Sequence, residues 1–396
     1  MPLRARADSF DGVTRTPLPK ASAPASGIDI LLADDDRLES LRARRVGLLT
    51  NTACHTANGR QTAAALNDAL SHNAGPGLTC LFAPEHGPAT DHAAGAPVDD
   101  QRDGASALNV ISLYGARRTP TPEHLAAIDT LIVDLRDVGV RCYTYAATAA
   151  LAADAALEVG VETIICDRVN PLGSTADGPR LDPDFRSFLA YFDTPFVHGE
   201  TLGSLVAGAL NHHPSSAALT VISAQSSAVS PQNPWVPPSP SLQSPDAVQL
   251  YPGLVLFEGT NLSEGRGTPL PFRCIGAPWL DAVASAEAAN SWPTGVTATP
   301  CEIQPNSGDY EGQVLPAIRF EPTAAPCDGF GLGIRLLAWV AGAHPQFTWR
   351  SAPVMAVGSE TPGDRYVIDT LLGSDSLRLA LGRGENADDI LSQWRS

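Results

Sequence analysis

The chain has 396 residues, 43% of them hydrophobic, and a formal net charge of −17. That length suits two or three domains with a sizeable core. The charge argues against duplex nucleic acid or an anionic membrane as partner. Seven scattered cysteines with no Cys-x-x-Cys give neither a disulfide framework nor a zinc ribbon, and reduced thiols in the cytoplasm are expected. No apolar run reaches the roughly 18 residues of a membrane span, and the first 26 residues lack the apolar core of a secretory signal.

Residues 1–26, rich in Ala, Ser, Pro and Arg, read as a flexible tail. Order is expected from Gly27. Apolar runs predict strands at Val46–Thr50, Leu78–Phe82, Asn109–Leu113, Leu131–Leu135, Thr163–Cys166 and Leu219–Ile222. Helical spacing predicts helices at Gln61–Leu70, Tyr145–Val159 and Leu202–Asn211. Strands alternating with helices, and apolar on both faces, predict an α/β fold with a parallel sheet. The proline-rich stretch Pro231–Pro245 reads as a loop or linker. Beyond Tyr251-Pro252-Gly253, short β-like runs and fewer helices predict a smaller α+β domain, ending in a helix over Ala387–Trp394 with Asn386 as a possible N-cap. The expected division is 27–245 and 246–396.

The chain is organised around Pro84-Glu85-His86-Gly87. Proline ends the preceding strand, and a carboxylate and an imidazole follow where open α/β sheets bind ligands. Other strand ends deliver Asn51, Asp137, and Asp167 with Arg168 and Asn170. In a parallel sheet these gather on one edge, the expected content of a polar cleft. Each has a structural alternative, since an Asp after a strand also caps the next helix and Arg168 can pair with it. Phe257 to Thr268 holds three glycines, two carboxylates, an Arg and an Asn, and is expected to approach a ligand closely. Phosphate-loop, zinc-protease and serine-hydrolase signatures are absent, and Gly331-Leu332-Gly333 lacks the third glycine of a dinucleotide fingerprint. A nucleotide enzyme is therefore disfavoured, and no metal is expected from His86 and His92. Trp235 is the best tryptophan for stacking on a sugar.

The motifs together resemble the exo-β-N-acetylmuramidases of the NamZ type. They include Arg45 to Asn51, Pro84 to Gly87, Ser112 to Gly115, Asp137 to Tyr145, Asp167 to Pro171, His198 to Thr201, Pro238-Ser239-Pro240, Tyr251-Pro252-Gly253 and Phe257 to Thr268. The resemblance runs from about residue 27 to the C-terminus. It implies a Rossmann-like domain without nucleotide, a smaller auxiliary domain and a cleft between them. It further implies release of N-acetylmuramic acid from the non-reducing end of MurNAc-GlcNAc or muropeptide fragments, with no cofactor and with Glu85 catalytic. Valine at 169 and Asp177 stand where the family usually has Pro and Glu.

Glu85 is expected to be the general acid, with Asp137, Asp167, Asp177, Glu200 and Glu264 open as the second carboxylate. Substrate-assisted attack by the acetamido oxygen, oriented by Asp137, Tyr143 or Tyr145, stays open beside it. Arg141, Arg168 or Arg266 is expected on the lactyl carboxylate. Asn51, His86, Asn170, His198 and Asn261 complete the expected binding set. The rival reading is a non-catalytic module binding amino sugars or muropeptides.

Overall fold

A computed structural model describes residues 25–71, 75–92, 95–103, 108–225, 235–354 and 363–396. Most of the expected tail therefore lies outside the described residues, as does the start of the proline-rich stretch. The first half is a seven-stranded sheet. Its strands are β1 (Val46–Leu49), β2 (Leu78–Ala83), β3 (Gln101–Arg102), β4 (Asn109–Ser112), β5 (Thr130–Val133), β6 (Glu162–Cys166) and, beyond a hairpin of β7 (Asp177–Arg180) and β8 (Pro195–Val197), β9 (Leu219–Ile222). The order is β3-β4-β2-β1-β5-β6-β9. All neighbours are parallel except β3, a short polar edge strand antiparallel to β4. β1 and β5 are buried throughout, as unbroken apolar runs require in a sheet covered on both faces.

One face is covered by α1 (Gly27–Leu32), α2 (Asp35–Arg42) and α3 (Thr62–Leu70), whose Ile28, Leu31, Leu38 and Leu66 pack with Val46, Ile132 and Ile164. A short α4 (Pro122–Ala126) precedes β5. The other face receives α5 (Tyr145–Glu158), an alanine-rich helix buried along most of its length, and α6 (Leu202–Ala209).

The second half is richer in helix than expected. It contains α7 (Pro245–Leu254), α8 (Ala282–Asn290), α9 (Gly329–Ala343), α10 (Val367–Leu372), α11 (Ser376–Gly382) and α12 (Ala387–Arg395), around a three-stranded antiparallel sheet. That sheet is built from β10 (Cys274–Gly276), β11 (Val296–Ile303) and β12 (Leu315–Pro322), and β13 (Ser351–Val354) pairs with β14 (Gly363–Tyr366). Asn386 caps α12 through the Asp388 amide, as expected. Pro252 and Gly253, beyond which short β-like runs were expected, lie inside α7. Gly253 is there for contact. A Cβ on it would lie 2.0 Å from the Gly329 carbonyl oxygen and 2.9 Å from Gly333 Cα. Gly329 and Gly333 of α9 thus seat one helix against another, whereas a Cβ at Gly331 would meet Asp328 and Arg335 of its own segment. A single hydrophobic cluster continues from Leu49 and Phe82 through Leu254 and Phe257 to Leu391, joining the two halves.

Candidate active site

A cavity of about 370 Å³ opens at the C-terminal edge of the parallel sheet, between the two halves. Glu85 and His86 enter from the turn after β2, Tyr114 from the end of β4, and Tyr143 and Thr144 from the start of α5. Tyr251, Glu258, Arg266 and Phe272 enter from the second half. Two of the three non-glycine residues with left-handed backbone among the described residues lie here, His86 at φ 68° and Phe272 at φ 54°. Such conformations cost on the order of 1–3 kcal/mol each and concentrate at functional sites.

Glu85 is buried, and both carboxyl oxygens are held. Oε1 accepts from the Gly95 amide at 2.8 Å, and Oε2 is 2.7 Å from the Thr144 hydroxyl. Thr144 occupies the N-cap of α5 without capping it, since its hydroxyl is turned to Glu85 instead. The 14-residue helix therefore directs its positive end toward this carboxylate. The His86 Nδ1 lies 2.7 Å from the His92 carbonyl oxygen, which fixes the strained turn, and burial holds its pKa below the usual value. Tyr114 is pushed up to about 12 by burial, reinforced by the Glu85 charge.

Across the cavity, α7 runs into a 3₁₀ turn over Val255–Gly259. Tyr251, Val255 and Glu258, at i, i+4 and i+7, present one stripe to the cavity. Arg266 Nη1 bridges Glu258 at 2.5 Å and Glu264 at 2.9 Å. Its guanidinium lies over the Phe272 ring, 4.6 Å from the centroid. Burial raises the Glu258 pKa; Arg266 opposes the shift, and the charges of Glu264 and Glu85 add to it. Three carboxylates facing one paired guanidinium leave the site with an excess of negative charge.

Of the expected residues, Glu85, His86, Tyr143 and Arg266 line the cavity. Asn51 and Tyr145 stand one layer behind: Asn51 Nδ2 donates to the Tyr145 hydroxyl at 3.1 Å, and the Tyr145 and Tyr143 rings pack at 4.6 Å. Glu264 serves the site by holding Arg266.

The others do not line the cavity. Asp167 is occupied with α6, accepting from the Gly203 amide at 2.9 Å and the Thr201 hydroxyl at 2.5 Å. Arg168 makes a two-pronged ion pair with fully buried Asp134 at 2.6 and 2.8 Å. Arg141 is buried among the carbonyls of Pro179, Thr194 and Leu372, and burial lowers its pKa to about 10. Asp137 pairs with His198 Nε2 at 3.0 Å. Asn170 donates to the Glu200 carbonyl oxygen, while the Glu200 side chain is exposed. Asn261 ties its loop to Gln346 and Thr348. Asp177 is taken by Arg395, and the Trp235 indole by the Leu242 carbonyl oxygen. These residues share a sheet edge or a loop with the site, but apart from the exposed Glu200 carboxylate their side chains make contacts that hold the fold.

Sequence reasoning missed Glu258 as a second carboxylate. The signal that finds it is the Tyr251–Val255–Glu258 spacing, which continues a helical stripe across Pro252-Gly253 into the segment where β-like runs were expected.

The N-terminal and C-terminal parts of the family "Exo-beta-N-acetylmuramidase NamZ" match residues 46–246 and 249–396 of this chain. The peptidoglycan β-N-acetylmuramidase NamZ of Bacillus subtilis (strain 168) is 32% identical over 377 residues, covering 93% of this chain and 87% of that protein. Two crystal structures of DUF1343 family proteins from Bacteroides fragilis NCTC 9343 superpose with TM-scores of 0.76 and 0.69 at 26% and 27% identity, each covering 94% of both chains. With both halves matched and the relative aligned along nearly its full length, this chain belongs to the NamZ family of exo-β-N-acetylmuramidases.

Proposed function

We propose that this chain is an exo-acting glycoside hydrolase. It releases β-1,4-linked N-acetylmuramic acid from the non-reducing end of peptidoglycan-derived fragments, with no cofactor. The observation that carries this reading is the cavity in which Glu85 and Glu258 enter from opposite halves of the chain. Glycosidases of most families place a carboxyl pair around the scissile bond. The cavity is within the range of small-ligand sites, about 300–1,000 Å³.

Glu85 moves the proton. Its Oε1 is fixed by an amide that can only donate, so Oε2 is the oxygen that carries the proton. The Thr144 hydroxyl next to Oε2 can donate to a carboxylate or accept from a carboxylic acid. It therefore accommodates both states that an acid, and then a base, must pass through. Glu258, held by Arg266, takes the place of the second carboxylate in preference to Asp137, Asp167, Asp177 and Glu200. Its charge would act on the positive charge that develops at the anomeric centre.

We assign the enzyme to the cytoplasm on its seven unpaired cysteines, five of them buried. No helix among the described residues is long and apolar enough to cross a membrane. The test is incubation with a defined MurNAc-GlcNAc disaccharide and mass spectrometry of the products. Free MurNAc and GlcNAc are expected. Binding of the disaccharide by calorimetry with no cleavage would instead establish the non-catalytic sugar-binding module.

A further inference from the structure

We propose that Arg118 binds the lactyl carboxylate of the muramic acid residue in the cavity. This rests on the proposed substrate and adds a residue that sets its specificity. Arg118 follows β4 and sits in the corner between two aromatic rings, 4.2 Å from the Tyr114 centroid and 4.1 Å from the Phe188 centroid. Tyr114 and Leu189 line the cavity, whereas Arg118 and Phe188 do not themselves line it and adjoin it through these two neighbours. Among the described residues Arg118 makes no ion pair, and its Nη1 is buried without a hydrogen-bond partner. A buried donor left without an acceptor is costly, and a planar carboxylate matches the guanidinium fork.

The other arginines expected at this carboxylate are committed elsewhere. Arg168 is held by Asp134, the terminal nitrogens of Arg141 by three carbonyls, and Arg266 by Glu258 and Glu264. Arg141 and Arg266 each keep a buried Nε without a partner, but among the described residues Arg118 alone of the four has neither an ion pair nor a carbonyl on its terminal nitrogens. An acidic sugar entering a cavity already rich in carboxylates needs a cation that is still free. Tyr114 links that cation to the chemistry, since its hydroxyl feels the charges of both Glu85 and Arg118.

The experiment compares a chromogenic β-N-acetylmuramide with its lactyl methyl ester, on wild type and on Arg118→Met and Arg118→Lys. Methionine keeps apolar bulk between the rings, and lysine keeps the charge without the fork. Wild type is expected to prefer the free acid by roughly ten- to hundredfold in kcat/KM, the size of a charge-assisted hydrogen bond. Arg118→Met is expected to treat acid and ester alike, and Arg118→Lys to fall between. Calorimetric binding of N-acetylmuramic acid and its methyl ester to each protein repeats the comparison without turnover. A wild type that discriminates in binding but cleaves nothing would sink the hydrolase reading and leave this inference standing. Equal binding of acid and ester by wild type, or full discrimination retained by a folded Arg118→Met, would overturn it.

Discussion

Gly253→Ala tests how tightly the placement of Glu258 depends on one helix contact. A Cβ at 253 lies 2.0 Å from the Gly329 carbonyl oxygen, whereas ordinary contact begins at 3.4 Å. The helices must therefore part by up to 1.4 Å, unless they rotate. The reverse contact is equally closed, with a Cβ at Gly333 falling 2.3 Å from Gly253 Cα. Overpacking of this kind costs about 1–3 kcal/mol. The better helix propensity of alanine returns at most about 1 kcal/mol, leaving a net loss of roughly 0–2 kcal/mol when that return is complete. The effect on catalysis should be larger. α7 carries Tyr251 and leads directly into Val255 and Glu258, and a misplacement of about 1 Å at a reacting group can cost roughly a hundredfold in rate. Gly342→Ala is the control: it lies in the same α9, with nothing within 4 Å of the added methyl. Denaturant unfolding and MurNAc release should show Gly253→Ala less stable and far slower, with Gly342→Ala neutral or slightly stabilised. Equal stability and rate in the two variants would refute the close-contact account.

Three further substitutions separate residues that hold the fold from those that act. Arg168→Met leaves Asp134 buried with only the Thr62 hydroxyl, so stability should fall by about 3–5 kcal/mol, while KM of the protein that remains folded stays unchanged; unaltered unfolding with a raised KM would return Arg168 to the substrate. Asp177→Asn breaks a partly exposed pair with Arg395, so about 1 kcal/mol or less should be lost and kcat/KM kept; a large fall in rate would restore Asp177 as the second carboxylate. Glu258→Gln should lower kcat strongly yet hold or raise stability at neutral pH. The folded-state pKa of Glu258 is raised, so its contribution to stability is complete below the unfolded carboxyl pKa and lost as pH rises through the folded one. The variant should therefore lose less stability than wild type between acidic and neutral pH in thermal melts; the same loss in both would place the buried charge elsewhere.

The sheet was legible because its strands are unbroken apolar runs, which burial on both faces demands. The turn at Glu85 was legible because proline stops β2 and glycine permits the return. The rest of the site was obscured by two ambiguities. An aspartate after a strand serves a ligand or the next helix equally well, and here Asp167 serves α6. A Pro-Gly pair usually breaks a helix, but in α7 tertiary contact with α9 makes glycine necessary, and Glu258 was hidden with it. Arg141 and Arg168 carry the same chemistry as Arg266; only the fold shows that Arg168 is taken by Asp134 and that both terminal nitrogens of Arg141 are taken by backbone carbonyls, away from the cavity. The edge strand β3 is too short and too polar to leave a hydrophobic pattern.

The most direct measurement is the rate of N-acetylmuramic acid release by Glu85→Gln, which keeps an oxygen acceptor for the Gly95 amide but removes the transferable proton. With folding verified by thermal melting, kcat on a chromogenic β-N-acetylmuramide should fall by roughly 10²–10⁴, the contribution of a positioned acid–base group, with substrate binding retained. A folded Glu85→Gln that turns over at the wild-type rate would contradict the account.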